Sequence, residues 1–250
     1  MKRSALAASA LSAAVLAGLT GLTACGGGDS ETDAADKPGG KATATTSGAK
    51  EVSPADRLAK LVITKADVDR YEKGYEVREP SDEFVFAKSP DEVTLDKKVC
   101  APLAYAMNQL PLGEPQADLT RVASKDGLNG GYTYVTLTAY ENGGAESAMA
   151  GLSKAVASCG DGFTAKSKSG TSPYDSVTAE PTTKSGDESL AFKSTMTVLG
   201  TTHTLHSAAV RHDDVIAVYF AVDGRAIAES RPSDVKLATA VVEAQNSKLG

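Results

Sequence analysis

The amino-acid sequence predicts an α+β fold, a single domain in which an antiparallel β-sheet has helices packed on one face. The second half of the chain holds consecutive segments of alternating hydrophobicity that are separated by short turns, and short turns connect antiparallel strands. Segments with apolar residues at helical spacing stand before, between and after these strands. Strands grouped in hairpins, with helices at their ends, are typical of the α+β class.

Two helix starts open the globular part of the chain. Ser53 precedes Pro54, and this pair favours an N-cap followed by the first helical position. Thr64 and Asp67 have the spacing of a capping box, which predicts a short second helix. Apolar residues at positions 103, 106, 107 and 110 share one helical face and predict a helix over 101–110.

The clearest strand covers 132–140, where polar and apolar residues alternate. The segment 215–222 is almost wholly apolar, as in a central strand. Gly200 and Thr201 predict a two-residue hairpin turn. The remaining predicted elements, in chain order, are strands over 75–79 and 83–87, a helix over 145–159, strands over 189–199 and 202–210, and a helix over 233–249.

One face of the predicted strand 132–140 carries Tyr132, Tyr134 and Tyr140. Aromatic side chains with hydroxyl groups can form a platform for an apolar, sugar or peptide ligand, which makes these three tyrosines the candidate binding residues. The alternative is the polar outer face of a sheet, where tyrosine and threonine are favoured by strand propensity.

The first 24 residues have the features of a secretory signal. Lys2 and Arg3 precede an uncharged, apolar stretch that is short for a membrane span. The sequence Leu22-Thr23-Ala24-Cys25 that follows resembles a bacterial lipobox. The resemblance implies a lipoprotein in which Cys25 is lipidated and becomes the first residue of the mature chain; the alternative is an ordinary signal peptide with an incidental cysteine. Two acyl chains, such as palmitate, would make a stable membrane anchor.

The segment that follows Cys25 differs in composition from the rest of the chain. Residues 26–50 include no Val, Leu, Ile, Met, Phe or Tyr, so they cannot bury enough apolar surface to offset the entropy of ordering. We therefore expect a signal over 1–24, a lipidated cysteine with a disordered tether over 25–50, and a binding domain over 51–250.

The charge of the chain argues against nucleic acid as a partner. Without the signal, 24 basic and 32 acidic side chains remain, a net charge of −8. Phosphate binding requires clustered Lys and Arg, so we expect no nucleic-acid partner.

Two further cysteines, Cys100 and Cys159, lie in the globular part. Export places them in an oxidising compartment, where one disulfide is the expectation and two buried free thiols are the alternative. The sequence has no CxxC motif, so we do not expect a metal site.

No catalytic motif stands out in the sequence, and we expect neither a catalytic residue nor a cofactor. His203 and His206 have a spacing that places them on opposite faces of the predicted strand, so a shared metal is not expected there. The alternative is a hydrolase site assembled from Ser, His and Asp residues that are distant in the sequence. Such a site is recognised by its geometry and not by a sequence motif. It would require a Ser, Asp or Glu beside His203, His206 or His212 in a pocket.

The order of features over about 52–250 resembles the extracellular sensor domain of actinobacterial, PknH-like Ser/Thr kinases. The residues that carry the resemblance are Leu61-Val62-Ile63-Thr64 with Gly74-Tyr75, Val99-Cys100 before a helix, and the stretch AMAGLSKAVASC that ends at Cys159. The resemblance implies a cleft-bearing, ligand-sensing domain with no known reaction.

These observations together predict a monomeric, non-enzymatic ligand-binding or sensor protein on the extracytoplasmic face of the cell membrane. Its partners would be the membrane, through the lipid anchor, and an envelope ligand or protein. The alternatives are an envelope hydrolase and a scaffold for protein interactions.

Overall fold

The computed structural model describes residues 52–81, 86–125, 127 and 131–250. The predicted signal, Cys25 and the tether lie outside the described residues, as do positions 83–85 of the predicted strand 83–87. The helices are α1 (Pro54–Leu61), α2 (Lys65–Val68), α3 (Ala101–Ala106), α4 (Gly144–Ser158), α5 (Gly224–Ala228) and α6 (Thr239–Leu249). The strands are β1 (Glu76–Arg78), β2 (Thr94–Leu95), β3 (Ala117–Ser124), β4 (Tyr132–Ala139), β5 (Phe163–Ser167), β6 (Gly170–Tyr174), β7 (Ser176–Glu180), β8 (Glu188–Val198), β9 (Thr201–His212), β10 (Val215–Val222) and β11 (Ser233–Val235).

Eight of the described strands form the main sheet, in which the order β1-β3-β4-β10-β9-β8-β7 is antiparallel throughout. Strand β11 pairs in parallel with the first residues of β9, beyond the end of β10. A smaller sheet has the order β2-β5-β6. The predicted α+β class with an antiparallel sheet is therefore confirmed.

Helices cover both faces of the main sheet, whereas the sequence led us to expect them on one. Ile216, Val218 and Phe220 of β10 pack in a core with α3 and α4. Val215, Ala217 and Tyr219 of the same strand pack on the other side, in a core with α1 and α6. The physical reason is that a strand with apolar side chains on both faces must be covered on both.

The helix starts that the sequence predicts are confirmed. The Ser53 side chain accepts a hydrogen bond from the Asp56 backbone N–H, and Pro54 occupies the first helical position. Thr64 and Asp67 form both hydrogen bonds of a capping box. These signals act within one helical turn, so no tertiary contact is needed to read them.

Several predicted elements differ in extent from the observed ones. The helix predicted over 101–110 ends at Ala106, and Gln109 then adopts a left-handed backbone with φ of 56°. The turn between β8 and β9 consists of Leu199 and Gly200, one residue earlier than predicted. The segment 233–249 begins as strand β11 and becomes helical only at Thr239, because its first residues pair with β9.

The predicted disulfide is present and joins Cys100 to Cys159. Cys100 directly precedes α3 and Cys159 caps the end of α4. Both cysteines are fully buried in the core beneath these helices. The bond therefore ties together the two helices that cover one face of the sheet.

Candidate ligand-binding cavity

A cavity of about 960 Å³ lies on the face of the main sheet that α3 and α4 cover. This volume is within the range of ligand pockets in proteins. The lining residues are Arg78, Ser81, Phe86, Met107, Asn108, Gln109, Tyr132, Tyr134, Ser172, Tyr174, Met196, Leu205, Phe220, Val222, Gly224, Arg225, Ile227 and Ala228.

The strand register of the sheet builds the floor of this cavity. Arg78 pairs with Val122, Val122 pairs with Tyr134, and Tyr134 pairs with Phe220. Directly paired residues of antiparallel strands point to the same face. Tyr132 and Val222 form the next paired positions on that face. The floor thus combines side chains from strands that are far apart in the sequence.

The walls come from three short segments. Met107, Asn108 and Gln109 follow α3, Tyr174 ends β6, and α5 contributes residues on the far side. The amide Nδ2 of Asn108 donates to the backbone oxygen of Ala104 at 2.7 Å and to the Tyr174 hydroxyl at 3.0 Å. These hydrogen bonds fix the Tyr174 ring against the cavity, where it also stacks on Phe163 with centroids 4.7 Å apart.

Apolar and aromatic side chains dominate the lining, and its charged members among the described residues are Arg78 and Arg225. Burial raises the pKa of the Tyr134 hydroxyl, while the nearby Arg78 charge opposes this shift. Burial also raises the pKa of Tyr174, against the hydrogen bond from Asn108. Both phenols are therefore neutral hydrogen-bonding groups at physiological pH.

Only two of the three candidate tyrosines line the cavity. Tyr132 and Tyr134 line the cavity, with ring centroids 6.4 Å apart, and Tyr134 stacks on Phe220 at 6.2 Å. Tyr140 lies beyond the end of β4, is 2% exposed and donates a hydrogen bond from its hydroxyl to the Leu112 carbonyl at 2.6 Å. The structure thus corrects the predicted set, since Tyr140 belongs to the core and lies outside the cavity.

Arg78, Gln109 and the α5 residues are site residues that the sequence did not reveal. Arg78 is exposed and belongs to a three-residue strand with no motif around it. Gln109 gives a signal only in the structure, where its positive φ marks a strained backbone at the cavity wall. These residues become neighbours only through the tertiary fold.

The histidines are not among the residues that line the cavity, and His203 and His206 are buried. They occupy opposite faces of β9, as their spacing predicts. His203 Nδ1 is 3.0 Å from the Ser233 Oγ, and His206 contacts Glu180 and Asp234. None of the three histidines lines the cavity, so the cavity lacks the His paired with Ser, Asp or Glu that a hydrolase would require.

Among the described residues, no three His, Cys, Asp or Glu side chains form a group that could hold a metal.

Comparisons with known proteins give likenesses of fold at low identity. The extracellular domain of PknH from Mycobacterium tuberculosis is similar to this chain with a TM-score of 0.48 and 13% identity, over 80% of this chain and 95% of that domain. An uncharacterized protein from Mycobacterium smegmatis, the Rv0999 ortholog, is similar with a TM-score of 0.34 and 14% identity, over 74% of this chain and 92% of its own. Both TM-scores are below 0.5, so neither likeness identifies the function of this chain.

No family model matches the sequence. A comparison with curated proteins finds no match either. Within the part of the chain that the structure describes, no helix is long and apolar enough to cross a membrane.

Proposed function

We propose that this protein is a lipid-anchored, extracytoplasmic binding protein that holds an apolar small molecule in the cavity between the main sheet and α5. The observation that carries the proposal is the cavity of about 960 Å³ with its predominantly apolar lining. Open apolar surface of this kind costs free energy when it faces water, and an apolar ligand removes that cost.

The composition of the lining favours binding over chemistry. Its hydroxyl and amide groups come from Ser81, Ser172, Asn108 and the tyrosines, and these groups can orient a ligand by hydrogen bonds. A serine nucleophile requires a neighbouring general base. None of the three described histidines lines the cavity, so we propose that the protein senses or carries its ligand without converting it.

A binding assay with a neutral apolar dye tests this function. N-phenyl-1-naphthylamine fluoresces more strongly in apolar surroundings, so titration with the mature protein should give a saturable rise. Ala228 is exposed on α5 at the cavity wall, and Ala228→Trp would fill the space with an indole ring. We expect this variant to weaken dye binding at least tenfold.

Ala59→Trp is the matched control, because Ala59 is an exposed residue of α1, on the opposite face of the sheet. It should bind the dye like the wild type. If the two tryptophan variants bind equally well, the cavity is not the binding site. If the wild type gives no saturable signal, the proposed function is wrong.

The proposed anchor has its own test. Cys25→Ser removes the sulfur that the lipobox would lipidate, and the variant should move from the membrane fraction to the soluble fraction of the envelope. Ser30→Ala is the control, because it is a substitution of similar size in the tether segment. This variant should stay in the membrane fraction. Full retention of the Cys25→Ser variant in membranes would contradict lipid anchoring.

A further inference from the structure

We propose that the ligand of this cavity is a long-chain amphiphile with a terminal anionic group, which binds at Arg78 with its chain directed across the sheet toward Leu205 and Met196. This inference rests on the proposed function and adds the chemical class and the orientation of the ligand.

The floor of the cavity changes from polar to apolar across the sheet. At one end, Arg78 on β1 and Tyr134 on β4 lie in one row across the sheet, with Val122 of β3 between them. Tyr132 is next to Tyr134 on the same face of β4. At the other end are Leu205 on β9 and Met196 on β8. Four steps between adjacent strands separate β1 from β9 in the sheet order, which corresponds to roughly 19 Å at the usual strand spacing. The floor is therefore long in one direction and graded in polarity along it.

The polar end has the chemistry of an anion site. The whole chain has a net charge of −6, yet both charged side chains of the described lining are arginines. Arg225 is held by Glu229, whose Oε1 is 2.7 Å from Arg225 Nε. Arg78 has no carboxylate within ion-pair distance among the described residues, and its Nη1 donates to the Glu79 backbone oxygen at 3.3 Å. A guanidinium has five donors in a planar fork, which fits a carboxylate or a phosphate.

Two phenolic hydroxyls complete this end of the cavity. Tyr134 lies close enough to Arg78 for the guanidinium charge to act on its hydroxyl. Tyr132 and Tyr134 are neighbours on the same face of β4, with ring centroids 6.4 Å apart. Neutral phenols donate hydrogen bonds to anions. A head group beside Arg78 would thus find a cation and two donors on one surface.

The apolar end has the chemistry of a site for an alkyl chain. Met196, Leu205, Phe220 and Ile227 surround it, and none of these side chains carries a formal charge. Methionine is flexible and polarizable, so it adapts to chains of different shape. Each methylene buried against this surface adds to the hydrophobic free energy of binding, so affinity should grow with chain length.

Displacement of the bound dye tests both parts of the inference. Hexadecanoate and hexadecyl phosphate carry the same chain with a carboxylate or a phosphate, and hexadecanol carries it with a neutral hydroxyl. All competitors are used below their aggregation concentrations, with decanoate as the short-chain member. We expect the two anions to displace the dye at concentrations at least tenfold lower than hexadecanol, and hexadecanoate to be stronger than decanoate. The ratio of the two anions shows which head group the site prefers.

Arg78→Gln isolates the proposed anion contact. Because Arg78 is exposed, the variant should keep the melting temperature of the wild type. It should weaken displacement by the anions about tenfold and leave hexadecanol unchanged. Arg70→Gln removes the same charge from a side chain that is 75% exposed and outside the lining, and it should change neither competitor.

Three results would overturn the inference. Equal displacement by hexadecanol and the anions would show that the anionic group is not recognised, while the proposed apolar binding would still stand. Equal losses for Arg78→Gln and Arg70→Gln would show that only net charge matters. Equal strength of decanoate and hexadecanoate would show that the chain does not lie along the floor. Failure of the dye itself to bind is a different outcome, which refutes the proposed function.

Discussion

Nε2 of His206 lies 2.7 Å from Oδ1 of Asp234, and this contact ties strand β11 to strand β9. On the other side of the ring, Nδ1 is 2.7 Å from the Glu180 Oε2. The imidazole is 4% exposed and lies between these two carboxylates. Strand β11 is three residues long, so this contact and that of His203 with Ser233 add to a short backbone pairing.

Loss of the His206 ring should therefore release β11. His206→Leu leaves the Glu180 and Asp234 carboxylates without their imidazole partner, and we expect a loss of about 1–3 kcal/mol in unfolding free energy. Hydrogen exchange of the backbone amides over 233–235 should accelerate more than exchange in β10. Lys60→Met, which changes an exposed lysine of α1 outside this cluster, is the control and should have a small effect. Unchanged exchange in His206→Leu would show that the His206 contacts are not needed to hold β11.

Acid should weaken the same contact. Hydrogen bonds from His206 and then Lys236 lower the pKa of Asp234 in the folded state. A carboxyl whose folded pKa is depressed stabilises the fold above its unfolded value of about 3.9, and this contribution is lost as the pH falls through the folded value. Protection of the 233–235 amides, corrected for intrinsic exchange, should therefore decrease below about pH 4 in the wild type. In Asp234→Asn this decrease should be smaller over the same range.

The Cys100–Cys159 disulfide should be a major contribution to stability. It closes a loop with a sequence separation of 59, and the chain-entropy model gives about 4 kcal/mol for a loop of this length. We expect the Cys100→Ala, Cys159→Ala double variant to lose about this amount in urea unfolding. A reducing agent should shift the unfolding midpoint of the wild type and leave that of the double variant unchanged. A loss below about 1 kcal/mol would contradict the prediction.

Asp67 joins α2 to the last helix and should make the free energy of unfolding depend on pH. Burial raises its pKa, but hydrogen bonds from Lys248, at 2.8 Å, and from Thr64 outweigh this and lower the pKa to about 2. Asp67→Asn should therefore lose about 2 kcal/mol at pH 7. Because the folded pKa is depressed, the difference from wild type should persist above pH 4 and shrink as the pH falls through about 2.

Urea unfolding at pH 7 and near pH 2 measures this difference. Asp56→Asn is the control, because the Asp56 carboxylate accepts a hydrogen bond from Ser53 at an exposed helix start, and it should cost little at either pH. A constant difference between Asp67→Asn and wild type at both pH values would show that packing, and not charge, explains the loss.

The β8–β9 turn offers a stabilising substitution. Leu199 and Gly200 both have positive φ, at 51° and 79°, as a two-residue turn of type I′ requires. Leucine is strained in this conformation, and Leu199 is 84% exposed, so its replacement loses no burial. Leu199→Asn should raise the unfolding free energy by about 0.5–1 kcal/mol.

Gly200→Ala, at the neighbouring position, should instead lower the stability. Nothing lies within 4 Å of the added Cβ, so any loss of stability comes from the positive φ and should be about 1 kcal/mol. Thermal unfolding of both variants distinguishes the outcomes. A lower melting temperature for Leu199→Asn would show that the leucine side chain makes a stabilising contact.

Several elements could be predicted from the sequence because their signals are local. The strand predicted over 215–222 is β10 (Val215–Val222), since a continuous apolar run between turn residues needs no partner to be recognised. The helix predicted over 145–159 is α4, and its apolar stripe carries Cys159 to the buried disulfide. In contrast, the sequence did not predict β3 (Ala117–Ser124), because Arg121 falls among the apolar positions of its alternation and Val122 among the polar ones. It becomes a strand through pairing with β1 and β4 on its two sides.

The candidate site, too, could be predicted only in part from the sequence. Tyr132 and Tyr134 were identified from their alternation, but the same pattern included Tyr140, which the fold buries against Leu112. The period of a strand tells which residues share a face, and the packing of helices decides where that face is open.

The sequence by itself determined the helix caps, the central strand, the cysteine pair and the acidic charge, because each depends on neighbours in the chain or on composition. Tertiary structure decided that both faces of the sheet are covered, that β11 joins β9, and that Arg78, Tyr134 and Phe220 form one row on a cavity floor. The physical reason is that strand pairing brings together residues up to 90 positions apart, as with Tyr132 and Val222. Such contacts depend on the pairing of the whole sheet and leave no periodic signal in any one segment.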